Sequence, residues 1–196
     1  RRDEAGPQMS ADSPGTPVVI PRIEARGFLG LISGGQLDVL ATDRLRLEFS
    51  QRLSRVLFGN HAMYVTDVGA HVRLLGPAHQ ALWLRVGYQY HVTSNGCRDD
   101  RAHTIDVGAE FRGRSERGHL VQVELGPELL GRQGGGYVCG DSAIGGGGLG
   151  ARFSALGQLA VWRHVGLFGR VGLRTAPHLM EIGILPVGDV GIAVEF

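Results

Sequence analysis

The chain has 196 residues, enough for one domain with a full interior and too few to expect two. Its 20 basic residues, all arginine, are scattered among 19 acidic ones for a formal net charge of +1, which gives no basic face for a nucleic acid. No stretch approaches the roughly 18 uninterrupted apolar residues of a membrane helix, so a chain of this composition would cross a membrane only with strands, whose alternating polarity hydropathy averages away.

Residues 1–17, RRDEAGPQMSADSPGTP, are polar, rich in Pro, Ser and Asp, and without periodicity; they read as a mobile arm preceding a single domain over 18–196. A first strand is plausible over Glu24 to Ser33, although its alternation is poor. Asp43 to Leu57 supports two readings. Leu45, Phe49, Leu53 and Leu57 recur at helical spacing behind a possible Asp43 N-cap, while Leu45, Leu47 and Phe49 alternate as in a strand.

From Tyr64 onward the period is two. Tyr64, Val68, Ala70, Val72 and Leu74 oppose Asp67, His71 and Arg73; after the GPAHQ turn, Leu82, Leu84, Val86, Tyr88, Tyr90 and Val92 alternate with Trp83, Arg85, Gly87, Gln89 and His91. Ile105 to Phe111, Val121 to Leu125, Leu149 to Ala155 and Val165 to Val171 repeat the pattern, one face apolar and the other charged. Short connections near 78, 115 and 163 alternate with long ones near 97, 140 and 180. The seventh of these strands is the last stretch, VGDVGIAVEF, in which Val190, Ile192, Val194 and Phe196 alternate with Asp189, Gly191, Ala193 and Glu195.

That last strand resembles the closing strand of bacterial outer-membrane β-barrel proteins, whose terminal Phe is read by the insertion machinery. The resemblance implies an all-β, antiparallel, up-and-down transmembrane barrel in a Gram-negative outer membrane, exported with its signal peptide removed, and it casts Phe196 as the insertion signal. A closed barrel of this kind takes an even number of strands. Seven strands plus one, either 24–33 or 43–57, predict eight, with short periplasmic turns and long external loops. On this topology Tyr64, Tyr88 and Tyr90 belong to an outer aromatic belt and Phe111, Trp162 and Phe196 to a periplasmic one. The charged face turns inward and fills the lumen, so no open pore is expected. The role is then structural or interactive. Partners are outer-membrane lipid and lipopolysaccharide, or a protein docked through the external loops or the arm. A soluble ligand-binding calyx, with its apolar face inside, is the alternative fold-level reading.

Tyr90 to Gly96, YHVTSNG, is similar to the His-x-Ser-Asn-Gly segment of outer-membrane lipid A deacylases and phospholipases A. The likeness implies Ser94 as nucleophile, His91 as base and Asp106 as the acid orienting it, in an acyl hydrolase of the outer leaflet. His91 and Ser94 are three apart rather than two, so a β-bulge at Thr93 is needed to bring them to one face. Otherwise Ser-Asn-Gly simply opens a loop. Cys97 and Cys139 both fall in long connections assigned to the external side, and an exact pair of cysteines in an exported protein is expected to form a disulfide. The dispersed histidines give no metal-ligand spacing, and no cofactor is expected.

Overall fold

The computed structural model describes residues 20–30, 32–55, 62–94, 99–133, 148–175 and 184–196. Ten strands run in chain order: β1 (Ile23–Gly30), β2 (Ile32–Thr42), β3 (Leu45–Arg55), β4 (Ala62–Leu75), β5 (Gln80–Ser94), β6 (Asp99–Arg114), β7 (Leu120–Gln133), β8 (Gly148–Trp162), β9 (Val165–Thr175) and β10 (Ile184–Glu195). Each strand pairs antiparallel with its successor, and β1 pairs with β10, giving a closed up-and-down barrel. The closing seam runs in register from Glu24 opposite Glu195 to Gly30 opposite Asp189. It is tied off where Phe196 N–H donates to the Ile23 carbonyl at 2.8 Å and the Phe196 carbonyl accepts from Arg22 N–H at 3.0 Å.

The expected count of eight strands is therefore corrected to ten. The strands read from Tyr64 onward are β4 to β10; the error lies wholly before them, where both candidate segments and the stretch between them are strands. In β3, Leu45, Leu47, Phe49 and Gln51 turn outward while Arg46, Glu48 and Ser50 are buried. The i, i+4 spacing that suggested a helix is an even spacing, so a strand satisfies it equally well. In β1 the pattern is hidden because Phe28 points inward and Gly27 outward, the reverse of the usual assignment. Only Leu31 separates β1 from β2, which breaks the expected alternation of short and long connections.

The start of β1, the end of β10 and the connections at 43–44, 76–79, 115–119 and 163–164 lie at one end of the barrel, here the terminal end. Register shifts at Leu40/Thr42, Arg73/Leu75 and Ala160/Trp162 sit beside three of these turns, the rim positions where bulges commonly end pairing. Gly76 and Gly118, with φ of 86° and 83°, take the left-handed conformation in the 76–79 and 115–119 turns. The connections near 97, 140 and 180 leave from the opposite end, and most of their residues, including Cys97 and Cys139, lie outside the described set, as do residues 1–19.

The distribution of polarity is inverted relative to a water-soluble protein. Leu29, Val86, Ile105, Leu125, Leu167 and Ile192 are among the apolar side chains left exposed around the outer wall, while Asp67, His71, Arg85, Asp106 and Glu110 are buried within. Strand parity produces this: the buried charged residues fall at alternate positions of their strands, and that face turns inward. The small apolar cluster inside, Phe28, Leu120, Leu156, Phe168 and Ala193, lines the β1 and β7 to β10 side of the lumen, with the Phe28 and Phe168 rings edge to face at 6.5 Å.

Candidate functional site

The lumen is a chain of ion pairs organised around Arg85. This residue sits mid-strand on β5, its side chain 1% exposed, and its Nη2 donates to Asp67 Oδ1 at 2.7 Å while Nη1 donates to Asp106. Its Nε lies 3.6 Å from Glu48 and 3.5 Å from Glu124. The guanidinium has room because its neighbours on the same inner face are glycines. A Cβ on Gly69 would come within 3.1 Å of Arg85 Nε, and one on Gly87 would overlap both Arg85 and Asp106. Gln89 spans the two carboxylates, donating to Asp67 at 3.2 Å and to Asp106 at 3.4 Å. Arg152 from β8 donates to Glu124 on the neighbouring β7 and, at 3.0 Å, to Asp106 on β6, joining three consecutive strands.

Toward the terminal end the network continues through β1, β2 and β3. Arg26 bonds Glu24 at 2.6 Å and Asp38 at 3.1 Å, and Arg112 reaches Glu24 from β6. Arg46 pairs with Glu110 and lies 5.3 Å from the ring of the inward-facing Trp83. His71 sits between Glu48 and Glu110, 2.9 Å from each. Arg114 donates to both oxygens of Glu195 at 2.7 and 2.8 Å, so the last strand is anchored to β6 across the lumen. Toward the opposite end, Arg170 binds Asp189 through Nε and Nη2, and Arg174 binds Glu128 at 2.6 Å.

Such a network sets charge against charge inside the barrel. Removing a charge from water costs several kcal/mol, and that cost is offset only where the opposite charge and the remaining hydrogen bonds are supplied together. Here most inward carboxylates have at least one arginine within ion-pair distance. Among the described residues no group of three or more His, Cys, Asp or Glu is arranged to hold a metal ion.

The residues of the acyl-hydrolase expectation are placed as follows. His91 is buried in the lumen, its Nε2 3.2 Å from Thr104 Oγ1 and 3.4 Å from Arg174 Nη2. Asp106 bonds Arg85, Arg152 and Gln89 rather than His91. Ser94 is the last residue of β5, paired with Ala62 and Asp99, and the register runs without a shift from His91 through Thr93 to Ser94 on both sides of the strand. The disulfide expectation falls on residues outside the described set. Phe196 lies on the outer rim of the terminal end, 71% exposed.

The chain matches no protein-family model. No curated protein matches it either. Among solved structures it is similar to Acinetobacter baumannii CarO, at 15% identity and a TM-score of 0.39 over 90% of this chain and 98% of that one. It is likewise similar to A. baumannii CarO2, at 14% identity and a TM-score of 0.39 over 90% of this chain and 99% of that one.

Sequence reasoning placed Asp67, His71, Arg85, Gln89, Asp106, Glu110 and Arg152 on the inner face. It missed Glu24, Arg26, Asp38, Arg46 and Glu48, which supply the terminal-end half of the network. The signal was present as Glu24–Arg26 and Arg46–Glu48, charges at i and i+2, which is lumen parity once those segments are taken as strands.

Proposed function

We propose that the chain is an integral outer-membrane β-barrel of a Gram-negative bacterium, its lumen plugged by its own ion-paired side chains, with a structural or surface-interaction role. One observation carries this reading: the outer wall is apolar on all sides while the buried interior is charged. In water that wall would be an apolar surface far beyond the few hundred Å² a soluble monomer tolerates, whereas hydrocarbon is the solvent that suits it. The aromatic side chains support the same reading. Tyr64 and Tyr88 point outward toward the opposite end, and Phe111, Trp162 and Phe196 point outward at the terminal end, the two levels where interfacial belts belong. With the termini in the periplasm, the connections near 97, 140 and 180 face the exterior. They and the N-terminal arm are the surfaces offered to a protein partner, while lipid and lipopolysaccharide surround the wall.

The reading is tested by extraction and electrophoresis. Expressed with an export signal, the protein should fractionate with outer membranes, resist carbonate extraction and migrate on unboiled SDS gels as a compact species that boiling converts to the full-length position. Release into the soluble periplasmic fraction, with no heat-dependent shift, would instead make it a calyx in water.

A further inference from the structure

At the terminal end the 115–119 turn and the 163–164 turn stand at the ends of the adjacent strands β7 and β8 and border a cleft of about 390 Å³. The first turn leans on β8: Ala160 N–H donates to His119 Nδ1 at 3.1 Å, and a Cβ on Gly118 would lie 3.3 Å from the Ala160 Cβ. Arg114 ties the same turn to the last strand, donating to the Gly118 carbonyl at 3.2 Å and to Glu195 at 2.7 and 2.8 Å. The outer side of the cleft is apolar. A register shift falls between Ala160 and Trp162, and Val161 and Trp162, both on the cleft wall, are 65% and 80% exposed. The cleft straddles the rim, with the mouth of the lumen on one side and the outer wall on the other.

Polar groups of two kinds line it. Arg117 and Arg163, one on each turn, make no ion pair among the described residues, and the carboxylate on the wall, Glu195, is held by Arg114. Gln158 is 3% exposed, and its Nε2 donates to Glu195 Oε1 at 2.7 Å. That bond fixes the orientation of the amide, because a carboxylate only accepts. Gln158 Oε1 is then a buried acceptor with no donor among the described residues. Gly166 leaves room for the amide, since a Cβ there would lie 3.0 Å from both Gln158 Cγ and Nε2. Solvated arginines alone specify nothing. Their placement does: two cations at the lip, an unmatched acceptor beside a carboxylate at depth, and an apolar outer side. A single water needs about 10–15 Å³ by the same measure of space, so the cleft has room for a group far larger than water.

We infer that this cleft binds the headgroup of one phospholipid, phosphatidylethanolamine. The phosphodiester lies between Arg117 and Arg163, the ammonium donates to Gln158 Oε1 beside Glu195, and the acyl chains run down the outer wall over Val161 and Leu159. The inference rests on the outer-membrane reading above, which turns the terminal end to the periplasm and so to phospholipid rather than lipopolysaccharide. Headgroup chemistry sets the choice of lipid. A choline head carries the same charges but has no hydrogen to donate, and a glycerol head offers only neutral hydroxyls, weaker donors than an ammonium.

The test is native mass spectrometry of the full chain folded in detergent and titrated with phosphatidylethanolamine, phosphatidylcholine or phosphatidylglycerol of identical acyl chains. The first phosphatidylethanolamine should bind at a concentration lower by about fivefold or more than either of the others, the worth of one hydrogen bond of ordinary net strength. Arg117→Gln combined with Arg163→Gln should abolish that first site. Arg44→Gln, which removes a charge from the 43–44 turn across the barrel, should titrate as wild type does. Gln158→Met should keep phospholipid binding and lose the preference among headgroups. Should Gln158→Met fail to fold, the wild-type headgroup comparison and the double arginine variant decide the matter. In a chain that shows the heat-dependent gel shift, equal uptake of all three lipids, uptake of none, a preference for phosphatidylglycerol, or an unchanged titration in the double arginine variant would overturn the site and leave the barrel reading standing. A chain with no gel shift that takes up no lipid would overturn both.

Discussion

The guanidinium of Arg85 occupies the volume that a side chain at Gly87 would need. A Cβ built on Gly87 would overlap Arg85 Nη1 and lie 2.6 Å from Asp106 Oδ2, so the absence of a side chain two residues along the strand is what lets a buried arginine reach its carboxylate. The far end of an arginine ordinarily moves aside at little cost, but this one is fixed by Asp67 and Asp106. Gly87→Ala should destabilise the barrel by about 1–3 kcal/mol through forced displacement in a packed interior. Gly157→Ala, where a Cβ meets nothing within 4 Å, should stay within about 0.5 kcal/mol of wild type. Urea unfolding in lipid vesicles measures both.

Arg85 is also the charge on which several carboxylates depend. Arg85→Met should cost about 3–5 kcal/mol, because it leaves Asp67 with no arginine closer than Arg52 at 3.9 Å. Adding Asp67→Asn to Arg85→Met should recover part of the loss, since the amide removes the stranded charge. Additive losses in the double variant would show that the pair is not coupled.

The outer wall makes the reverse prediction. Val86 and Val107 face each other across β5 and β6 near mid-strand, exposed by 48% and 41%. Arginine at either position should cost about 2–4 kcal/mol in a bilayer, the penalty for a charge near the hydrocarbon midplane. On a barrel standing in water the same change would be close to neutral, and vesicle-based unfolding of Val107→Arg separates the two.

The strands from Tyr64 onward were legible because apolar residues recur there at every second position, opposite a more polar face, as in Leu82 to Val92. The first three strands were not, and the reasons differ. β3 was ambiguous because Leu45, Phe49 and Leu53 satisfy two periods at once. β1 was obscured by Phe28 pointing inward and by Gly27 taking an outward place, and β2 by the Gly34–Gly35 pair, which carries no polarity signal. Within the lumen, parity predicted which residues face inward but not how they pair. Whether Asp106 meets His91 or Arg85 depends on side-chain reach across the barrel, and Arg85 extends into space that Gly69 and Gly87 leave open.

Phe196 separates assembly from stability. Its backbone closes the β1 and β10 seam, whereas its side chain is 71% exposed on the outer rim and holds nothing inside. Phe196→Ala should leave unfolding in vesicles within about 1 kcal/mol of wild type yet lower the amount reaching the outer membrane several-fold. Normal membrane levels would remove its role as an insertion signal.

The disulfide proposed between Cys97 and Cys139 would close a loop whose chain-entropy effect is on the order of 3–4 kcal/mol in the unfolded state. Non-reducing digestion and mass spectrometry of exported protein should yield one cross-linked peptide containing both cysteines. Separate peptides carrying free thiols would refute it.

The inside-out barrel is tested most directly by its two tryptophans, which lie on opposite sides of the wall. Trp83 points into the lumen and is 2% exposed, and Trp162 stands on the outer rim at 80%. In vesicles of lipid brominated near the headgroup end of the acyl chain, the Trp83→Phe variant, which reports Trp162 alone, should lose most of its fluorescence, while Trp162→Phe, which reports Trp83 alone, should keep nearly all of it. Equal insensitivity of both would place the wall in water, and stronger quenching of Trp83 than of Trp162 would reverse the inside and outside of the barrel.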